Sequence, residues 1–353
     1  MRNFKLILED QSIFTGYGFG ALKSISGEVV FNTGMVGYPE TLTDPSYKGQ
    51  VLVLTYPLIG NYGVPENESG SLLLKNFESE RIQVSGLVVD NYSMDYNHWS
   101  SVKSLNQWLT ENDIPGIYGI DTRALTKKLR EEGVMLGKLI YDKDLDFYDP
   151  NKENLVDQVS TKKILSYGSG NIKVVLVDCG VKNNIIRCLV KRNISVIRVP
   201  WNYDFNKLDY DGLIISNGPG DPIMCDHTID NVKKALTKEK PIFGICLGNQ
   251  ILSLAAGAKT YKMKYGHRSQ NQPCIDLETN KCYITTQNHG YAVDSKTLGK
   301  EWKEWFINAN DNTNEGLKHL KKPFWSVQFH PEANPGPKDC EFLFDEFLKL
   351  IKK

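Results

Sequence analysis

The chain has 353 residues, 41% of them hydrophobic and 24% charged, and Lys plus Arg balances Asp plus Glu at 42 each. That length exceeds one ordinary core and predicts two domains; the composition is that of a soluble globular protein. A neutral chain without a basic run interleaved with aromatics has no electrostatic reason to seek nucleic acid or an anionic membrane, so neither is expected as a partner.

The N-terminal apolar run is too short for a signal peptide, and acids follow it at once. The 7 Cys form no CxxC spacing, which predicts reduced thiols in a cytoplasmic protein, most of them plain packing residues. In chain order, residues 1–140 read as a β-rich domain. Short apolar runs at 4–8, 29–31, 51–54 and 84–89 are separated by turn residues such as Asp44-Pro45 and Gly60-Asn61. One helix is predicted over 102–111. A second starts at Asp121 as N-cap, with Leu125 and Leu129 at helical spacing, Ile120 stapled onto Leu125, and Gly133 as its end. Residues 16–20 hold three glycines, too little to read as a nucleotide site. Residues 141–171 are polar and read as the inter-domain connection.

From residue 172 to 353 apolar strands alternate with helices, which predicts an α/β domain built on a parallel sheet covered on both faces. Strands are expected at 172–177, 194–199, 212–216 and 241–245, and helices at 184–192, 228–239 and 247–256. Strands return near 283–286 and 324–329, and an amphipathic helix closes the chain at 339–351. The stretch 241–258 is uncharged over 18 residues, long enough to raise a membrane span. Its Pro, three Gly, Asn249 and Gln250 make it a strand, a turn and a helix instead.

That stretch carries the strongest chemical signal. Cys246 stands at the corner between strand and helix, with Gly244 and Gly248 two residues to either side, the Gly-x-Cys-x-Gly form of a nucleophile elbow. The turn is too sharp for side chains at the flanks. Cys246 then sits at a helix N-terminus, where the dipole and free N–H groups favour negative charge, and the N–H of Leu247 points at an oxyanion formed on attack. Alone, the same pentapeptide also fits a buried structural cysteine before a helix. Near the C-terminus the apolar run 324–329 delivers His330-Pro331-Glu332 at a strand end. A Cys–His–carboxylate set can activate a nucleophile and protonate a leaving amine. A third element, Asn217-Gly218-Pro219-Gly220-Asp221-Pro222, follows a predicted strand. Ligand loops lie at strand C-ends in parallel sheets, although this one also fits a plain tight turn.

With these motifs, the C-terminal half resembles a class I (triad) glutamine amidotransferase domain: 217–222, 244–250, Gln287-Asn288-His289-Gly290-Tyr291 and 330–332 occur in the family's order. The N-terminal half is similar to the small chain of carbamoyl phosphate synthetase, through the segments 31–40, Asp44-Pro45-Ser46-Tyr47, 55–61 and Gly119-Ile120-Asp121-Thr122-Arg123. Asp178-Cys179-Gly180-Val181-Lys182 fits the start of that family's second domain. The resemblance implies a β-rich (β/β/α) N-terminal domain before an amidotransferase domain. It also implies a glutaminase in which Cys246 attacks the glutamine amide, His330 and Glu332 complete the triad, and the N–H groups of Leu247 and Gly220 form the oxyanion hole. It carries glutamine contacts onto Ser46, Gly218, Gly220, Leu247, Gln250, Asn288, Gly290 and Tyr291. Two positions depart from the pattern: Asn249, where His is common, and Tyr291, where Phe is common.

No G-x-x-x-x-G-K-[ST] loop is present, so ATP and Mg²⁺ chemistry is expected on a large synthetase subunit that receives ammonia and makes carbamoyl phosphate. This chain itself is expected to hold no cofactor and no metal. Whether the product feeds arginine or pyrimidines is not written in the sequence. Two rivals stand beside this reading: the glutaminase component of another biosynthesis, which needs no such N-terminal domain, and a non-catalytic regulatory subunit, which would not need Cys246, His330 and Glu332.

Overall fold

The structure is a computed structural model and describes residues 3–66 and 73–352. The chain divides into two units, Met1–Lys152 and Glu153–Lys353. In the first, described strands close a barrel in the order Asn3–Leu8, Met135–Ile140, Ile25–Asn32, Gln50–Leu54, Gly86–Val88, Pro115–Tyr118 and Ile13–Gly20. Closure leaves no strand edge unpaired. The period-two rule is plain in Asn3–Leu8: Phe4, Leu6 and Leu8 are fully buried, while Asn3 and Lys5 are exposed. The glycines of Ile13–Gly20 are a packing requirement. A Cβ on Gly16 would lie 2.3 Å from the Tyr118 carbonyl, and one on Gly18 would lie 2.2 Å from the Phe4 ring.

The helix Thr122–Glu132 begins where Asp121 caps it, the carboxylate accepting from the Ala124 N–H at 2.8 Å. It buries Ile120, Leu125 and Leu129 and ends at Gly133, φ 107°. The other predicted helix is shorter than expected, Leu105–Glu111. Ser104 is its cap, and Ser101–Lys103 pairs as a strand with Val64–Pro65.

The second unit is a 10-stranded sheet among the described residues. Its middle is parallel, in the order Ile194–Pro200, Ile172–Asp178, Gly212–Ile215, Ile242–Ile245 and Phe324–Val327. The helices Asn183–Lys191, Asp226–Ala235, Leu247–Ala255 and Phe342–Ile351 accompany it. The central strands Gly212–Ile215 and Ile242–Ile245 are apolar without alternation, because a parallel sheet is buried on both faces. The predicted parallel sheet is thus the centre of a mixed one. Antiparallel strands Asn314–His319, Trp302–Asn308, Lys259–Asp276 and Cys282–Asp294 extend one side, and Leu165–Tyr167 the other.

Residues 141–171, expected to join the halves, are divided between them. The N–H groups of Tyr141 and Tyr148 donate to the hydroxyls of Ser24 and Ser26 in the first unit. In the second unit, Asn154 caps the helix Leu155–Val159. Among the described residues no helix is long and apolar enough to cross a membrane.

Candidate active site

The strand Ile242–Ile245 passes into the helix Leu247–Ala255 through a single residue, Cys246, at φ 55°, ψ −104°. A positive φ in a residue with a side chain costs about 1–3 kcal/mol and is kept where the surroundings over-determine it. Here the Cys246 N–H donates to the Val327 carbonyl at 2.8 Å. A Cβ on Gly244 would lie 2.4 Å from the Gly248 carbonyl, and one on Gly248 2.1 Å from that of Ile215. The elbow therefore admits hydrogen only at both flanks. The helix leaves its first N–H groups, Leu247's among them, without intrahelical acceptors, beside the thiol. The thiol itself donates to the Asn288 carbonyl at 3.7 Å.

Phe324–Val327 runs parallel to Ile242–Ile245 in direct register, so both strands release their C-terminal residues at the same sheet edge. His330 follows, its N–H held by the Thr286 carbonyl at 2.9 Å. Its Nδ1–H donates to Glu332 Oε1 at 2.6 Å, which leaves Nε2 as the working nitrogen. Nε2 is buried without a hydrogen-bond partner of good geometry, yet Cys246 is near enough to influence the ring's charge. Burial acts to lower the His330 pKa, but the Glu332 carboxylate and then Cys246 outweigh it and raise it, so the ring is a ready acceptor for the thiol proton.

Glu332 is in turn held by Lys182, whose Nζ lies 3.1 Å from the same Oε1 and donates to the Ala333 carbonyl at 2.5 Å. Asn184 donates to the Glu332 carbonyl. Burial would raise the Glu332 pKa; Lys182, then His330, pull it well below the usual carboxylate range. All of these side chains lie in the second unit. Lys182 was part of the sequence motif that opens this half but carried no role there, because its partner is 150 residues away.

The other expected contacts fall as follows. Gly218 and Gly220 lie in the loop after Gly212–Ile215. A Cβ on Gly218 would lie 1.9 Å from the Cys179 carbonyl, and Gly220 has φ 83°. Leu247 and Gln250 are buried on the elbow helix, and Gln250 Nε2 donates to the Tyr291 carbonyl at 2.9 Å. That bond ties the helix to the strand Cys282–Asp294, which carries Asn288, Gly290 and Tyr291. Asn249 is fully buried, bonded to Gln328 Oε1 at 3.1 Å and accepting from Ser326 at 2.7 Å. It braces the sheet under the elbow. Ser46 belongs to the first unit, buried in the turn Pro45–Tyr47 with its N–H on the Asp44 carboxylate at 2.9 Å.

Comparison with known proteins matches residues 6–139 to the family "Carbamoyl-phosphate synthase small chain, CPSase domain" and residues 175–350 to "Glutamine amidotransferase class-I". The chain is 55% identical over 356 residues to the human "Carbamoyl-phosphate synthase [ammonia], mitochondrial", covering 99% of this chain and 24% of that protein. It is 57% identical over 355 residues to "Multifunctional protein CAD" of Squalus acanthias, covering 98% of this chain and 16% of that one. It thus spans about a quarter or less of the length of these curated relatives. A solved glutamine amidotransferase of Thermotoga maritima is 20% identical with a TM-score of 0.39, over 52% of this chain and 90% of its own.

Proposed function

This chain belongs to the carbamoyl-phosphate synthase small-chain family, with a class-I glutamine amidotransferase domain as its second half, and we propose that it hydrolyses glutamine and delivers the ammonia to carbamoyl phosphate synthesis. In this reading Cys246 hands its thiol proton to His330 Nε2 and attacks the side-chain amide carbon of glutamine. The oxyanion rests on the N–H groups of Leu247 and Gly220. His330 returns the proton to the departing ammonia, leaving a γ-glutamyl thioester. Water, giving its proton to the same Nε2, then releases glutamate and restores the thiol. Glu332 fixes the ring through Nδ1, and Lys182 keeps Glu332 ionised. Ser46, Gly218, Gly220, Leu247, Gln250, Asn288, Gly290 and Tyr291 are the proposed glutamine contacts.

The observation that carries this reading is the strained Cys246 facing a bare His330 Nε2, whose other nitrogen is clamped by Glu332 at 2.6 Å. The synthesis of carbamoyl phosphate, with ATP and Mg²⁺, is assigned to a large synthetase region, either a separate chain in a heterodimer or one continuous with this one as the greater length of the relatives allows. Ammonia then passes between the two through a closed passage. The described cysteines are all unpaired, which suits a reducing compartment such as the cytoplasm. The product serves pyrimidine or arginine synthesis.

The printed name of the human relative specifies ammonia, which favours a second reading in which the fold is kept without glutaminase activity. Glutamate release from glutamine by the chain, with Cys246→Ala as control, decides between them. Release that depends on Cys246 supports the glutaminase; none, with or without a synthetase partner, supports the second reading.

A further inference from the structure

Beside Asn288, Gly290 and Tyr291 lie two imidazoles and a carboxylate with no part in the proposed reaction. His267 on Lys259–Asp276 stands directly opposite His289 on Cys282–Asp294, their rings 5.0 Å apart. Glu315, from the strand Asn314–His319, is fully buried beside them. Its Oε1 lies 3.3 Å from His267 Nδ1 and 3.9 Å from His289 Nε2. One ligand atom from each residue falls within 4.8 Å of the others.

The far side of each ring is already committed. His267 Nε2 lies 2.8 Å from the Asp311 carboxylate, and His289 Nδ1 lies 2.8 Å from the Tyr291 carbonyl. A carbonyl only accepts, so Nδ1 of His289 carries the hydrogen, and in a neutral ring Nε2 is then a lone pair. Oxygen faces that lone pair: Gln287 Oε1 at 3.2 Å and, beyond it, Glu315. As placed, Gln287 Nε2 donates to Thr285 Oγ1 and to Cys274 Sγ, each at 3.2 Å; a flipped amide would set Oε1 against the Thr285 oxygen, whose hydrogen is spent on the Gln272 carbonyl at 2.9 Å, with only the weak Cys274 S–H to satisfy it. The Asn308 amide is a nearby donor, but it reaches Glu315 and His267 only at 3.4 Å. Glu315 Oε2 is buried with no partner at all. Ligand atoms thus converge in a dry pocket where the Glu315 charge needs a cation, either a protonated His267 between Asp311 and Glu315 or a metal ion.

We propose that His267 Nδ1, His289 Nε2 and Glu315 bind a divalent transition-metal ion of the zinc class, with Gln287 Oε1 placed for the fourth position. Metal–ligand bonds of about 2.0–2.1 Å in a tetrahedron set ligand atoms roughly 3.4 Å apart; 3.3 and 3.9 Å are close to that spacing, and the two imidazole nitrogens, within 4.8 Å of each other, draw together on binding. Two imidazoles with one carboxylate select zinc-like ions over magnesium or calcium. A carboxylate on one imidazole and a carbonyl on the other are the outer contacts that fix metal-binding histidines. With protein atoms at each position the site is structural. It pins the strand that presents Asn288, Gly290 and Tyr291 to Cys246.

The test uses the full chain purified without a polyhistidine tag. Its metal content is measured, and the chelator-treated chain is titrated with Co²⁺ alone. The expected result is one bound ion per chain, visible bands of four-coordinate Co²⁺ without thiolate charge transfer, and a higher Tm on adding Zn²⁺. Glu315→Gln and His267→Gln should lose the bands, and Asp311→Asn should bind about ten- to a hundredfold more weakly. Absence of the bands from the wild-type chain, whose folding is not in question, overturns the proposal in favour of protonated rings filling the pocket. Bands that persist in folded Glu315→Gln and His267→Gln place the ion elsewhere and overturn it equally.

Discussion

Lys182 and Glu332 meet as an ion pair of 3.1 Å with both side chains sealed from solvent. Removing one partner leaves the other charge buried and alone, at about 3–5 kcal/mol, so Lys182→Met should lower stability by that order. The pH dependence has a definite sign. Burial would raise the Glu332 pKa, but Lys182 and then His330 depress it below the ordinary 4.5. Its contribution is therefore present above that value and lost as pH falls below it. With less depression, Lys182→Met should lose less stability to acid below about 4.5 than the parent, and the loss should end at higher pH. Urea midpoints measured across the acid range check this, and identical acid limbs would show that Lys182 does not hold Glu332 ionised.

Cys246→Ser should separate the two nitrogen sources. A serine hydroxyl is far harder to ionise than a thiol, so glutamine-dependent carbamoyl phosphate synthesis by the assembled enzyme should fall by several orders of magnitude. Synthesis from ammonium salt should persist, and His330→Asn should behave alike. Near-normal glutamine use by Cys246→Ser would mean that the nucleophile lies elsewhere; loss of both activities in an intact assembly would refute the division between two sites.

The glutaminase should be slow in this chain alone and accelerate when a synthetase partner is added, because uncoupled turnover loses ammonia to protonation. Full-rate hydrolysis that no partner alters contradicts the coupling.

Ser46→Ala should raise KM for glutamine several-fold with little change in kcat, as expected for lost ground-state binding. An unchanged KM would confine glutamine recognition to the second unit.

Gly248→Ala should destabilise the second unit by about 3 kcal/mol or more, since its Cβ meets the Ile215 carbonyl at 2.1 Å. Gly257→Ala, at φ 91° with open space around it, should cost only the backbone strain of about 1–2 kcal/mol. Thermal unfolding of the two variants gives the comparison, and equal losses would mean that the tight elbow packing is not the cause.

The elbow was legible because its demand is local: two glycines around a cysteine at a strand–helix corner have few other uses. The helix after Asp121 was legible for the same reason, with cap, staple and terminal glycine all within a few residues. What stayed hidden depends on partners far apart in the chain. Lys182 has no visible purpose until Glu332 is brought beside it. His267 and Glu315 lie on strands that the sequence does not predict, because Lys259–Asp276 and Asn314–His319 are too polar to alternate cleanly. Barrel closure was equally unreadable, since it pairs the first strand with the stretch 135–140. The three glycines at 16–20 invited thoughts of a nucleotide, and their reason became visible only with the Phe4 ring and the Tyr118 carbonyl against them.

The distribution of thiols has a practical consequence. Burial pushes the thiols of Cys188, Cys225 and Cys340 up to about 12 and raises those of Cys179 and Cys274 as well, which makes five of the seven poor nucleophiles toward alkylating reagents. Cys282 alone is exposed among them. In a Cys282→Ala chain the thiol left to react is Cys246, buried as well but set at a helix N-terminus beside His330. Stoichiometric labelling at that position could count competent centres in any preparation, or carry a spectroscopic reporter to the elbow, without a substrate being turned over.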